Sequence, residues 1–381
     1  MMIYLDYAAT TPLHAKALQD MQDCWRDRFG NPSSIHFEGQ MAEAALQEGR
    51  AGLAGMIHAG ESEIVFNSGG SESDNLAVRG VAWARCQSNK KHLLISPVEH
   101  PAVMQTARQL VKLHGFELEF LPVDGYGQVN PDDVAKALRP DTALVSVIYA
   151  SNEIGTINPI AEIGAVCRGA GVPFHSDAVQ AAAHLKLDVT VEQVDLLSIG
   201  AHKFYGPRGV GALYVRKGTP ILPMQTGGSQ EHGLRAGTEN VAGIVGMVEA
   251  LRLTLDGLEE RNLRLVQLRD RLIAGVLGSC RARLTGHPQQ RLPNHASFVF
   301  EGVDGNFLVA LLDQAGFACS SGSACKVGNP QPSEVLLALG LTARWALGSL
   351  RVTLGRETNE AQIDAFLSVL PALVERAVVE R

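Results

Sequence analysis

The apolar run LLSIGAH (196–202) ends in Lys203, and Phe-Tyr-Gly-Pro follows at once as a turn signal. Burial at such a place lowers an ammonium's pKa and frees the neutral amine for Schiff-base chemistry. The ordinary alternative is a stem that packs while the head snorkels to water. A second apolar run, PFHSDA (173–178), brings Asp177, and Gln180 just beyond it, to the edge of a sheet where open α/β folds bind ligands. A carboxylate facing a pyridine nitrogen keeps that nitrogen protonated, although an Asp is equally at home as a helix N-cap. In Asn67-Ser68-Gly69-Gly70-Ser71-Glu72-Ser73 small residues follow the strand EIVF (63–66) and open a helix. Such a turn lets a phosphate reach free N–H groups and the positive end of the helix. Pro97-Val98-Glu99-His100-Pro101 repeats the strand-to-helix step, with His100 either facing the same crevice or serving as a structural histidine. Cys325 lies in the Gly/Ser loop SSGSAC beside Lys326, where exposure and a nearby cation suit a reactive thiolate. Cys319, in a strand, reads as a core thiol.

The elements that must position these groups follow from periodicity. From about residue 14 to 215, helical patterns alternate with short apolar runs, the signature of a mostly parallel sheet wrapped by helices. Seven strands are expected at 63–66, 92–96, 117–122, 142–150, 173–178, 196–202 and 211–215, with helices at 72–86, 100–113 and 159–170 between several of them. Leu18, Met21 and Trp25 recur at helical spacing and are expected to pack in the core. A long helix is expected over 241–275. Strands at 295–302 and 349–355, with helices near 304–315, 333–339 and 359–377, have a different texture. That shift predicts a large domain of residues 14–255 and a small α+β domain of residues 1–13 and 256–381.

Composition sets the outer bounds. The chain has 381 residues, 33 Lys and Arg against 40 Asp and Glu, and a net charge of −7, which argues against nucleic acid or an anionic membrane as the main ligand. The six cysteines form no C-x-x-C pair, so no metal site is predicted, and the spread of thiols suits a reducing compartment. No basic-then-apolar leader opens the sequence and no run of about 18 apolar residues occurs, so a cytoplasmic chain without a membrane span is expected.

Taken together, YLDYAATTP (4–12), FGNPSSIH (29–36), SGGSESDNLA (68–77), EHPAV (99–103), NEIGTINPI (152–160), HSDAVQ (175–180), AHKFYGP (201–207), RAGTEN (235–240), SSGSAC (320–325) and SLRVTLGR (349–356) resemble the NifS/IscS-like cysteine desulfurases of the class V aminotransferase group. The resemblance implies a fold-type-I pyridoxal-phosphate enzyme that converts L-cysteine to L-alanine. It implies a homodimer, and a sulfur-acceptor protein such as an iron–sulfur scaffold as partner. Lys203 would hold the cofactor covalently, Asp177 its pyridine nitrogen and Gln180 its phenolic oxygen. Asn152 would lie near that oxygen and the substrate carboxylate, which Arg351 would bind with its guanidinium fork. His100 would stack on the ring and assist proton transfer. Gly70, Ser71 and His202 would grip the phosphate, with Thr238 reaching in from the other subunit. Cys325 would take the sulfur as a persulfide and, on a mobile loop, carry it outward.

The chain departs from the family pattern at Gly200, followed by Ala201, where a serine is common; the backbone N–H of Gly200 is expected to stand in for the missing phosphate donor. Ser71 replaces Thr and Gly70 replaces Ala. Other readings are a selenocysteine lyase or a class V aminotransferase, and a catalytically silent scaffold. A nicotinamide-binding protein ranks last, because no G-x-G-x-x-G follows the first strand.

Overall fold

The computed structural model describes residues 2–322 and 331–379, so Cys325 lies outside the described residues. Its strands are β1 (Ile3–Tyr4), β2 (Ile64–Asn67), β3 (His92–Ile95), β4 (Glu117–Phe120), β5 (Thr142–Ser146) and β6 (Phe174–Asp177), then β7 (Leu196–Gly200), β8 (Gly211–Val215), β9 (Ala282–Leu284), β10 (His295–Phe300), β11 (Phe317–Ala318) and β12 (Ser349–Thr353). The helices are α1 (Ala15–Asp27), α2 (Phe37–Met56), α3 (Gly70–Cys86), α4 (Pro101–His114), α5 (Pro131–Ala137) and α6 (Ile160–Gly169), then α7 (Val241–Leu255), α8 (Leu258–Ser279), α9 (Gly305–Gln314), α10 (Glu334–Ala338), α11 (Ala343–Ala346) and α12 (Glu360–Arg376).

A seven-stranded sheet runs in the order β2-β8-β7-β6-β5-β3-β4. Neighbours from β7 to β4 are parallel, while β8 is antiparallel to both β7 and β2. Every residue of β2, β3, β5, β6, β7 and β8 is buried, because helices cover both faces and the strands can be apolar throughout. Only the edge strand β4 shows charge to solvent, through Glu117 and Glu119. The seven strands expected from the sequence are all present, in the α/β fold expected. A smaller antiparallel sheet, β12-β10-β9, carries a second core in which Leu5 packs with Leu272, Phe298, Leu350 and Phe366. The parallel pair β1 and β11 ties the start of the chain to this second core.

Two expectations are corrected. The stretch 241–275 is not one helix but α7 and α8, broken where Asp256 turns extended and Gly257 adopts φ +66°, a conformation that favours glycine. Of the three residues expected in the core of α1, Met21 is buried at 6% exposure, whereas Leu18 and Trp25 are 40% and 58% exposed. Helix α2 was not signalled by any large apolar stripe, because its buried face is made of Ala42, Ala45, Leu46, Gly49, Leu53 and Ala54. Among the described residues no helix is long and apolar enough to cross a membrane.

Candidate active site

The carboxyl ends of β6 and β7, the first turns of α3 and α4, and the segment after β5 meet around a cavity of about 430 Å³. Its wall includes Lys203, Asp177, His100, Asn152, Gln180, Gly70, Ser71 and His202, which the sequence singled out from five separate stretches. Asp74, Arg208 and Val179 line it too and were not singled out. Asp74 lies four residues after Gly70, on the same face of α3, but its spacing alone does not tell that face from the solvent side.

Lys203 stands in the short turn Ala201–Lys203 directly after β7. Its Nζ donates to the carbonyls of Ala8 at 2.8 Å and Ala9 at 2.7 Å, so the N-terminal segment holds the amine in the site. Burial, and then the Arg351 guanidinium, lower its pKa from 10.5 to about 8. The same segment is fastened by Gln180, whose Nε2 donates to Ala8 O, and by Thr11, whose hydroxyl donates to His202 O.

Asp177 ends β6 with 4% exposure, and its Oδ1 accepts the Val179 N–H at 2.9 Å. Burial raises its carboxyl, opposed by the nearby His100 and Lys203. Two residues back on the same face, His175 is held neutral by burial, which pushes it down to about 3, and it spans Ser146 Oγ at 2.9 Å and Ser198 Oγ at 3.0 Å. His100 is the N-cap of α4: its Nδ1 accepts the Ala102 N–H at 3.1 Å, and burial lowers its pKa. A neutral imidazole in that arrangement carries its proton on Nε2.

At the other end, α3 begins beside Gly69 at φ +145°, leaving first-turn amides free for an anion. A Cβ at Gly70 would meet Val179 Cγ2 at 2.5 Å, so with Val179 as it stands the glycine leaves this backbone open to the cavity floor. Gly200 does not line the cavity. It lies behind Gly70, where an added Cβ would sit 3.3 Å from Gly70 N and 3.4 Å from Val179 Cγ1. His202 Nδ1 is 3.2 Å from Thr10 Oγ1, and burial lowers the ring's pKa to about 4. Thr238 is exposed and lines a separate small cavity with Ser68 and Gly209, not the wall around Lys203.

Arg351, in the middle of β12, reaches the site from the smaller sheet. Its Nη1 donates to Asn152 O at 2.9 Å and its Nη2 to Asp6 Oδ1 at 2.9 Å, while Nε is buried without a partner among the described residues. Asp6 also accepts from Ser320 Oγ at 2.7 Å, and Ser320 pairs by its backbone with Arg351. Asp6 is therefore a further site residue that the sequence did not single out. Cys319 is 9% exposed in the second core, and burial pushes its thiol well up, as a packed thiol requires.

This donor set fits a flat phosphorylated pyridine. One buried carboxylate is available at one end, free helix amides and a glycine cradle at the other, and an amine of lowered pKa between them. The family model described as aminotransferase class-V matches residues 3–366. A protein of Methanosarcina thermophila named cysteine desulfurase IscS is 45% identical over 374 residues, covering 98% of this chain and 92% of that one. Another so named, from Dictyoglomus turgidum, is 47% identical over 375 residues, covering 98% and 95%. Among solved structures, one titled NifS-like protein superposes with a TM-score of 0.92 at 34% identity, covering 99% of this chain and 100% of that one.

Proposed function

The chain belongs to the class V aminotransferase family, and from that premise we propose how its residues carry out cysteine desulfuration with pyridoxal 5′-phosphate. The enzyme takes sulfur from L-cysteine and leaves L-alanine. The observation that carries the assignment of roles is the single cavity into which Lys203, Asp177, His100, Asn152 and Gln180 converge. When bound, the cofactor supplies an electron sink that weakens the bonds at the substrate's Cα and Cβ.

The rest is the work of the chain. Asp177, an anion in a buried place, would hold the pyridine nitrogen in its protonated form, and Gln180 and Asn152 would hold the phenolic oxygen. Gly70, Ser71 and His202 would hold the phosphate, and Gly200, which does not line the cavity, would leave room behind Gly70. Arg351 binds the substrate carboxylate with the donors that Asp6 and Asn152 leave over. Lys203 moves the α-proton. Its pKa of about 8 leaves an appreciable fraction of neutral amine near neutrality, and the Ala8 and Ala9 carbonyls hold it when it is free. His100 donates from Nε2 to assist.

The Cys325 thiolate attacks the substrate sulfur: a Cys325 Sγ–S bond forms, the Cβ–S bond breaks, and a proton at Cβ completes alanine. The persulfide then passes to an acceptor thiol, on a protein such as an iron–sulfur scaffold, in the cytoplasm. A homodimer is supported by the exposed apolar side chains of Trp25, Phe29, Ile35 and Phe37, with Ile35 93% exposed, and by Thr238 lying outside the wall around Lys203. The second core supports the division into residues 14–255 and a small domain of 1–13 with 256–381. Adding pyridoxal phosphate to the cofactor-free protein tests the assignment: the wild type turns yellow and makes alanine from L-cysteine, and Lys203→Ala does neither with covalent retention of the cofactor. A colourless wild type would contradict it.

A further inference from the structure

Beneath the ring end of the cavity lies a carboxyl that none of the roles above uses. Asp74 sits one turn into α3 and is 1% exposed, and its Oδ1 has no hydrogen-bond partner among the described residues. One of its oxygens, a carboxylate oxygen of Asp177 and a ring nitrogen of His100 all lie within 4.8 Å of one another. His175 Nε2 is 3.6 Å from Asp74 Oδ1, too far for a hydrogen bond, and is already engaged with Ser198. The Ser198 hydroxyl, which pairs with His175, also favours the Asp74 anion. A third buried carboxyl, Glu99, accepts the Ile148 N–H through Oε1 and leaves Oε2 unpaired. The groups facing Asp74 are thus His175 and Asp177 from β6, Ser198 from β7, and Glu99 and His100 from the entry to α4.

Two carboxylates so placed in a buried site do not both stay ionised. Their partners decide which one does. Asp177 accepts a backbone N–H and faces His100 and Lys203, both of which favour its anion. Asp74 accepts no backbone N–H among the described residues, and burial and the carboxyls of Asp177 and Glu99 oppose its charge, against a lesser lowering by Ser198. We propose that Asp74 is a positioning residue that keeps its proton at neutral pH, leaving Asp177 as the single anion beneath the pyridine nitrogen. A neutral Asp74 offers an O–H to the pair and removes the repulsion that would swing Asp177 out of line. An ionised Asp74 would divide the hold on the ring proton between two anions.

The proposal rests on the reading that the ring nitrogen meets Asp177, but its test uses the protein before cofactor is added. Thermal and denaturant unfolding of wild type and Asp74→Asn are compared from about pH 5 to 9. A carboxyl protonated when folded and ionised when unfolded lowers the folding equilibrium about tenfold per pH unit above the ordinary carboxylate range. Asparagine has no such titration. The ratio of the two folding constants, variant over wild type, should therefore climb about tenfold per pH unit until the folded proton leaves. Parallel profiles, or a constant deficit in the variant as a merely structural hydrogen bond would give, overturn the proposal. Should Asp74→Asn not fold, carboxyl-carbon NMR of aspartate-labelled wild type decides. A protonated aspartate signal at pH 7 in wild type that is retained when the carboxyl of Asp177 is assigned separately as ionised supports the proposal, and its absence, or its assignment to Asp177, overturns it. Failure of wild type to take up pyridoxal phosphate would instead count against the functional reading and leave these pH profiles as they are.

Discussion

At the ring end of the cavity, Asp177, His175 and Ser198 come from two adjacent strands of one sheet and are buried to 4% exposure or less. At the substrate-carboxylate end, Arg351, Asp6, Asn152 and Ser320 come from four distant parts of the chain and meet at the seam between the two sheets. The ring end is a property of one rigid core, so its charge is set by burial and by neighbouring acids. The carboxylate end is a property of an assembly: the guanidinium has a counter-ion already, and substrate must share it. The first can shift pKa values strongly; the second can be adjusted by moving or changing one partner.

The comparison can be broken at its centre. Lys203→Ala should lower turnover on the order of 10³-fold, the effect of losing a positioned proton-transfer group, in an alanine-formation assay. Retention of more than about a tenth of the activity would dismiss the lysine from that role. Arg351→Ala should act on the other end, raising KM for L-cysteine roughly 10- to 100-fold with a smaller change in kcat, as loss of a charged hydrogen-bond pair predicts. Equal falls in kcat and kcat/KM would show that Arg351 serves the transition state alone. Asp6→Ala should raise KM by about three- to tenfold, because Arg351 keeps its charge and its bond to Asn152 O but loses one support, while Asp6→Asn keeps an acceptor and should fall between.

The smallest effect is a pH dependence at the ring end. Lys203 binds its proton more weakly folded, at about 8, than its ordinary 10.5. Between those values the unfolded chain holds the proton and the folded one does not, so folding gains stability as pH rises through that window. The cofactor-free wild type should therefore be stabilised relative to Lys203→Met between about pH 8 and 10.5, seen in denaturant midpoints; a flat difference would place the amine in water.

The two ends also differ in how much of them could be read from the chain. Asp177, Lys203, His100 and Gly70 each stand at a strand-to-turn or strand-to-helix junction, where local pattern marks both the element and the exit of the side chain. Their convergence follows from a parallel sheet whose strand ends lie on one edge. Asp6 carries no such mark: it lies past a two-residue strand, and its pairing with Arg351 is set by tertiary packing. Asp74 lay inside a quoted motif, yet only burial shows that it faces the cavity and not solvent. Leu18 and Trp25 show the converse, apolar spacing without burial. The break at Gly257 was hidden because a single glycine in a helical pattern is ordinarily tolerated.

The central claim is desulfuration through Cys325, and the most direct measurement is alanine formed from L-cysteine in the presence of a thiol reductant, wild type against Cys325→Ser, both loaded with pyridoxal phosphate. The account predicts many turnovers of alanine from the wild type, and cofactor binding without sustained alanine from the variant. Sustained turnover by Cys325→Ser, or loaded wild type that makes no alanine, would contradict it.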